Sequence, residues 1–303
     1  MAYSQYRYQL TDLLQDAWYR MGQLKTWKIT GGSTTTLINT LWAGIEDVIY
    51  EDDDPALIYG TAVVVGHAGS PYNPPRGQFG MITDYDSASQ TATIEALTVA
   101  LAADDEIGIA SPQFPYRDMM HLANIGLRKL GEIDVVDTSI AISANQTEYS
   151  LPTAIQKRPK RVRKQTLQTA NDNEWKMVQG WDVIPATAGS PWILTIPQLT
   201  QGYSLEVLYE GFHPELTGFD SPIQDAIAPE LAICALVSEA YQWYNNQIGG
   251  TNQYFLQREN KAIQDLEAAK VQYPIKRFVE QVQGMPHWGA RADYVPLTSD
   301  LRE

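Results

Sequence analysis

The chain has 303 residues, 44% of them hydrophobic, and a formal net charge of −14. That length suits two or three compact units with an ordinary core, and the acidic balance argues against nucleic-acid binding as the main task. A single cysteine, Cys234, excludes a disulfide framework and fits a cytosolic folding compartment. The opening MAYSQYRYQL lacks an apolar run and predicts no signal peptide.

Residues 3–21 predict an amphipathic helix, with Leu10, Leu13, Leu14, Ala17, Trp18 and Met21 near helical spacing and Gly22 as its stop. Its apolar face needs a distant partner, because so short a helix is marginal alone. From residue 27 to 111 the character changes to short β-rich runs, TAVVVGHAG, GQFGMITDYDSASQTATIEAL and DDEIGIA, split by Gly, Asp and Ser. Residues 81–83 and 91–97 read as a hairpin whose loop starts at Asp84. The stretch predicts a small β-barrel or sandwich of about 80 residues. A second helix spans 115–131. Pro115 starts it, Met119, Leu122, Ala123, Leu127 and Leu130 form its stripe, and Arg128 and Lys129 sit at its C-terminal dipole end.

Residues 139–209 are β-rich again and predict a second small sandwich. The helix over 229–246 is the organising element. Ile227, Leu231, Cys234, Val237 and Tyr241 make one stripe; Ile233, Leu236, Ala240 and Trp243 make another. Two stripes predict contact on two sides, central to a bundle or an assembly. Its length and Glu239 exclude a membrane span. A last helix over 253–273 turns Phe255, Ala262, Ile263, Leu266 and Ala269 inward. Residues 275–303 lack periodicity yet carry Phe278, Val279, Met285, Trp288, Tyr294, Val295 and Leu297, so they read as an arm that docks on something else.

The expected fold is therefore α+β: an α-helical bundle with two inserted small β-barrel or β-sandwich domains and an extended C-terminal arm. The domains expected are an N-terminal core helix (1–26), a β-barrel-like insertion (27–111), a second core helix (112–136), a β-sandwich (137–219), C-terminal core helices (220–274) and the docking arm (275–303).

Candidate chemistry is sparse. ITGGSTTT lacks the Gly-Lys-Ser/Thr ending of a phosphate loop and reads as a loop or strand start. His67, His121, His213 and His287 are scattered without zinc-ligand spacing and read as loop and helix-surface residues. Carboxylates cluster at Glu51–Asp54, at Asp84 and Asp86, and at Asp104–Glu106. Each cluster falls in a predicted turn, where Asp serves backbone hydrogen bonds, rather than in a glycan-cleaving pair or a calcium loop. Cys234 is predicted buried, which argues against a nucleophile. No catalytic, cofactor-binding or metal-binding residue is assigned. The one strong charge cluster is Lys157, Arg158, Lys160, Arg161, Arg163 and Lys164. It could meet phosphates or form a solvated strand face, and in so acidic a chain it reads best as a subunit contact together with Trp243.

In order, YQLTDLLQDAWYRMG, GGSTTTLINT, MITDYDSASQTATIEAL, YRDMMHLANIGLRKLGEID, NQTEYSLP, WDVIP, GYSLEVLYEGFHPEL and IAPELAICALVSEAYQW resemble the head-to-tail connector (adaptor, or head completion) proteins of tailed bacteriophages. The resemblance covers the chain up to about residue 273 and is one of order and flavour, because that family has no catalytic signature. It implies a homo-oligomeric ring, usually a dodecamer, in the virion neck below the portal protein, with no cofactor and no turnover. The implied partners are the portal, gripped by a C-terminal segment, a tail or neck protein, and DNA passing through without sequence-specific contacts. On this reading the basic strand faces an acidic patch such as Glu51–Asp54 of the next subunit, and the excess negative charge lets DNA slide. A tail-associated carbohydrate-binding or glycan-cleaving protein is the competing reading, and another neck or tail-terminator ring protein a third.

Overall fold

The structure is a computed structural model. It describes residues 8–40, 57–68, 76–143, 145–168, 173–185, 187, 191–199 and 203–277. Two units divide the chain. One comprises Met1–Asp137, Thr153–Pro159 and Leu208–Phe278, and the other Thr138–Pro152, Lys160–Val207 and Val279–Glu303.

In the first unit, helix α1 (Leu10–Met21) starts later than its periodicity suggests. Gln9 is extended and bridges Pro222, the Ile223 amide donates to the Tyr8 carbonyl, and the amides of Leu10 and Thr11 donate to the carbonyls of Ser221 and Phe219, so Tyr8 and Gln9 are drawn into strand-like pairing. Gly22 ends the helix at φ +70°, a left-handed conformation that suits glycine. Helix α2 (Tyr116–Lys129) begins after Pro115, and α3 (Pro229–Gln247) places Pro229 in its first turn. Helix α4 (Gln253–Gln272) is capped by the Asn252 side chain, which accepts from the Tyr254 amide. Helices α1, α2 and α4 all pack on α3.

A seven-stranded antiparallel sheet completes this unit. Its strands are β1 (Leu24–Lys28), β2 (Gly31–Gly32), β3 (Thr36–Ile38), β4 (Thr61–Gly66), β5 (Phe79–Asp86), β6 (Thr91–Ile94) and β7 (Glu106–Ala110), in the order β1-β7-β4-β5-β6-β3-β2. One face covers a core of Leu37, Leu57, Ile82, Tyr85, Ile94 and Ile107, with Trp27 packed at its margin. The β5–β6 turn is shorter than expected: Asp84 and Tyr85 belong to the strand, and only residues 87–90 turn. The sheet meets α2 through Phe79, whose ring lies 4.8 Å from Tyr116 and also 5.1 Å from Phe219, and α1 is tied to the segment between β7 and α2 by Trp18, whose indole N–H donates to the Phe114 carbonyl at 2.9 Å.

Two smaller antiparallel sheets follow. One contains β8 (Ile133–Ala141), β10 (Arg161–Gln168), β11 (Asn173–Met177) and β14 (Ser204–Gly211) in the order β11-β10-β14-β8. The other orders β12 (Asp182–Ile184), β13 (Ile193–Thr195) and β9 (Glu148–Ser150) with β13 central. The unit boundaries fall inside β8 and β14.

The expected bundle with inserted barrels is therefore corrected. Among the described residues the protein has fourteen strands in three antiparallel sheets and four helices, 31% strand against 28% helix, and no closed barrel. The physical reason is that helical periodicity is a strong local signal, whereas many short strands gain their weight only by pairing with distant segments. Strand β1 follows α1 after only Gly22 and Gln23, and β7 leads within a short turn into α2, so sheet and helices alternate along one continuous unit.

Candidate functional site

The predicted basic cluster is where the sequence concentrates charge, and the structure divides it. On β10, Arg161 and Arg163 share the carboxylate of Glu206 on β14. Glu206 is only 5% exposed, and the Arg163 guanidinium grips both of its oxygens. A buried carboxylate is tolerated because two cations and fork-shaped hydrogen bonds compensate it. These two arginines are thus engaged within their own chain. Lys164 lies opposite Lys176 across the β10–β11 ladder, a like-charge pairing eased by Glu174, whose carboxylate is 3.3 Å from the Lys176 ammonium. Arg158 and Lys160 each have interactions of their own. Trp243 is half-buried on α3.

Lys157 belongs to a different group. It sits in the first unit with Glu132, Asp134, Glu210 and Arg277. The Lys157 ammonium pairs with the Glu132 carboxylate and lies 3.7 Å from that of Glu210. The Glu132 hydrogen bond raises the Lys157 pKa above its ordinary value. Arg277 donates from one nitrogen to Glu210 at 3.0 Å and from the other to the Glu132 carbonyl at 2.9 Å. Its guanidinium is also 3.6 Å from Asp134, whose side chain is fully buried. The amide of Lys276 donates to the Ala226 carbonyl at 2.9 Å. The chain leaving α4 is thus tied down at the start of β8 and the end of β14. The predicted docking residues Phe278, Val279, Met285, Trp288, Tyr294, Val295 and Leu297 lie outside the described residues, as does Glu51–Asp54.

The remaining candidates have local structural roles. Asp86 accepts from the amides of Ala88 and Ser89 and from the Ser89 hydroxyl, and these bonds hold its pKa below the usual carboxylate value. This is the turn role its position predicts. Asp105 is fully buried. It accepts from the amides of Ala68 and Ala102 and contacts the His67 ring at 2.7 Å. Ser33 accepts from the Thr35 and Thr36 amides inside the β2–β3 turn, which leads to no helix. Cys234 is buried, and burial pushes its thiol up.

The histidines were expected in loops or on helix surfaces. His121 is exposed on α2, and His213 lies in the loop after β14 but is only 4% exposed. The His213 ring nitrogens meet the Pro214 carbonyl at 2.7 Å and the Gln224 amide at 3.1 Å, so a neutral imidazole donates to one and accepts from the other. Burial holds its pKa below the ordinary value. Sequence reasoning missed this clasp because Gln224 is eleven residues away and carries no motif. Among the described residues, no group of three or more His, Cys, Asp or Glu side chains is placed to hold a metal ion. No described helix is long and apolar enough to cross a membrane. The described surface includes the ion pair of Arg277 with Glu210 and a helix, α4, with most of its length uncovered. No protein-family model matches the chain, and no curated protein matches it.

Proposed function

We propose that this chain is a structural protein of a tailed-phage virion, a head-to-tail adaptor that forms a ring below the portal and joins capsid to tail around a channel for DNA. The observation that carries the reading is the convergence on α3. Segments that carry the resemblance, far apart in sequence, supply α1 and α2, and both pack on α3, whose two stripes are buried except for Trp243. The described ionisable clusters serve turns, ion pairs and a buried clasp, which suits a protein without turnover. Within the ring, Arg161 and Arg163 stiffen the β10–β14 pairing through Glu206.

Native mass spectrometry of the purified chain, with and without a dodecameric portal, tests the reading. A ring that forms on the portal, or before it and then binds it, is the expected result. A monomer indifferent to the portal would overturn it. A glycan-binding screen of that monomer would then decide whether a carbohydrate-binding role takes its place.

A further inference from the structure

The chain does not simply trail away after α4. Tyr273 closes the helix, and Pro274 follows it, where the helix cannot continue. Within three residues two anchors follow: the Lys276 amide on the Ala226 carbonyl at 2.9 Å, and the Arg277 guanidinium between Glu210, Asp134 and the Glu132 carbonyl. Arginine suits this place, because its planar fork satisfies a carboxylate and a carbonyl together.

We propose that Arg277 is a releasable latch: it straps residues 274–277 to the start of β8 and the end of β14, and it can open without unfolding what lies beneath.

The case for release rests on how the charges are shared. Lys157 contacts the same two glutamates, Glu132 and Glu210, that Arg277 engages by carbonyl and carboxylate. When Arg277 withdraws, Lys157 remains to compensate both carboxylates. Asp134 has a further interaction besides Arg277. Removing one partner of a buried ion pair is ordinarily costly because the other charge is left bare. Here Lys157 prevents that at the two part-exposed glutamates, and the buried Asp134 is the group on which release turns. The Arg277 side chain is 50% exposed and that of Lys157 48%, so both pairs are open to screening by salt. Glu206 provides the contrast. Its side chain is 6% exposed, and two arginines, themselves 14% and 29% exposed, hold it. One site is built to stay shut and the other to open.

Hydrogen exchange of the isolated full-length chain, read by mass spectrometry, tests the latch without any partner. Its outcome is therefore independent of whether the protein forms a ring. In Arg277→Gln, peptides covering 273–277 should exchange more than tenfold faster, while those in α4, β8 and β14 keep the wild-type rate. Raising salt from 0.05 to 1 M should speed the same peptides in the wild type. Unchanged exchange at 273–277 in the variant would overturn the strap. Faster exchange spreading through β8 and β14, or failure of the variant to fold, would overturn release, since the arginine would then be a structural pillar. Lys157→Gln alone should leave the strap closed at low salt. The double variant should lower thermal stability by more than the two single losses added; simple additivity would overturn the part assigned to Lys157.

Discussion

Helices α3 and α4 are neighbours of nearly equal length and opposite circumstance. Eleven of the nineteen residues of α3 are buried, against two of the twenty in α4. Both carry apolar residues at helical spacing. On α3 these fall on two sides, and α1, α2 and α4 cover them. On α4 one side, with Ala262, Ala269 and the partly buried Phe255 and Leu266, meets the body; Leu256, Ile263 and Val271 point the other way. Periodicity identifies a face that could be buried, and only the surroundings decide whether it is.

The largest effect expected from this contrast is in α3. Leu236 is 1% exposed, and truncation to alanine leaves a cavity in the packed interior. Leu236→Ala should cost about 2–5 kcal/mol, seen as a lower urea midpoint at unchanged slope. A loss no larger than that of a surface substitution would mean that α3 is not the packed centre.

The seam between the two helices comes next. The Asn245 amide on α3 donates to the Phe255 carbonyl at 3.1 Å and to the Glu259 carboxylate, both on α4. Asn245→Ala removes both bonds and should cost about 1–3 kcal/mol. The start of α4 depends on its cap, so Asn252→Ala should cost about 1 kcal/mol and should loosen the helix locally. Hydrogen exchange separates the two: the Asn252 variant should speed only the first turn of α4, and the Asn245 variant should also reach the end of α3.

The approach to α3 gives the comparison a pH dependence. His213 accepts the Gln224 amide shortly before α3 begins, and Gln224 in turn accepts from the Val136 amide of β8. Burial depresses the folded-state pKa of the ring, so the unfolded chain binds the proton first and stability rises with pH across that window. The contribution is complete above about 6.5, the ordinary histidine value, and is lost as pH falls through the lower folded value. Urea midpoints from pH 8 to 5 should fall more steeply for the wild type than for His213→Gln. Equal slopes would show that this ring is not what titrates.

How much of this was legible in the sequence follows the range of each signal. The helices were legible because Gly22, Pro115, Pro229 and the apolar spacing are local marks, and α2, α3 and α4 lie within a residue or two of where those marks place them. The β-rich stretches were legible as strands but not as sheets. Nothing local says that β7 pairs with both β1 and β4, or that the sheet stays open. The basic cluster was legible as charge and not as pairing. Glu206 lies 43 residues from Arg163, and Glu132 lies 25 before Lys157, so a run that looks free in sequence is largely engaged in space. Ile263 was expected inward beside Ala262; one residue is 100° of helix, enough to carry it from the seam to the outer face, where it is 42% exposed.

The smallest expected effect is the sharpest test of the contrast. Ile263→Ala in the isolated chain should change stability by no more than about 0.5 kcal/mol, because the side chain already meets water in the folded state. Alanine also has the higher helix propensity, which offsets part of any lost contact. If this variant loses as much as Leu236→Ala, the outer face of α4 is covered in solution and the two helices are alike. If the loss stays small for the free chain yet the same variant weakens an assembly in native mass spectrometry, the difference between α3 and α4 is one of timing. One helix is buried when the chain folds, and the other waits for a second surface.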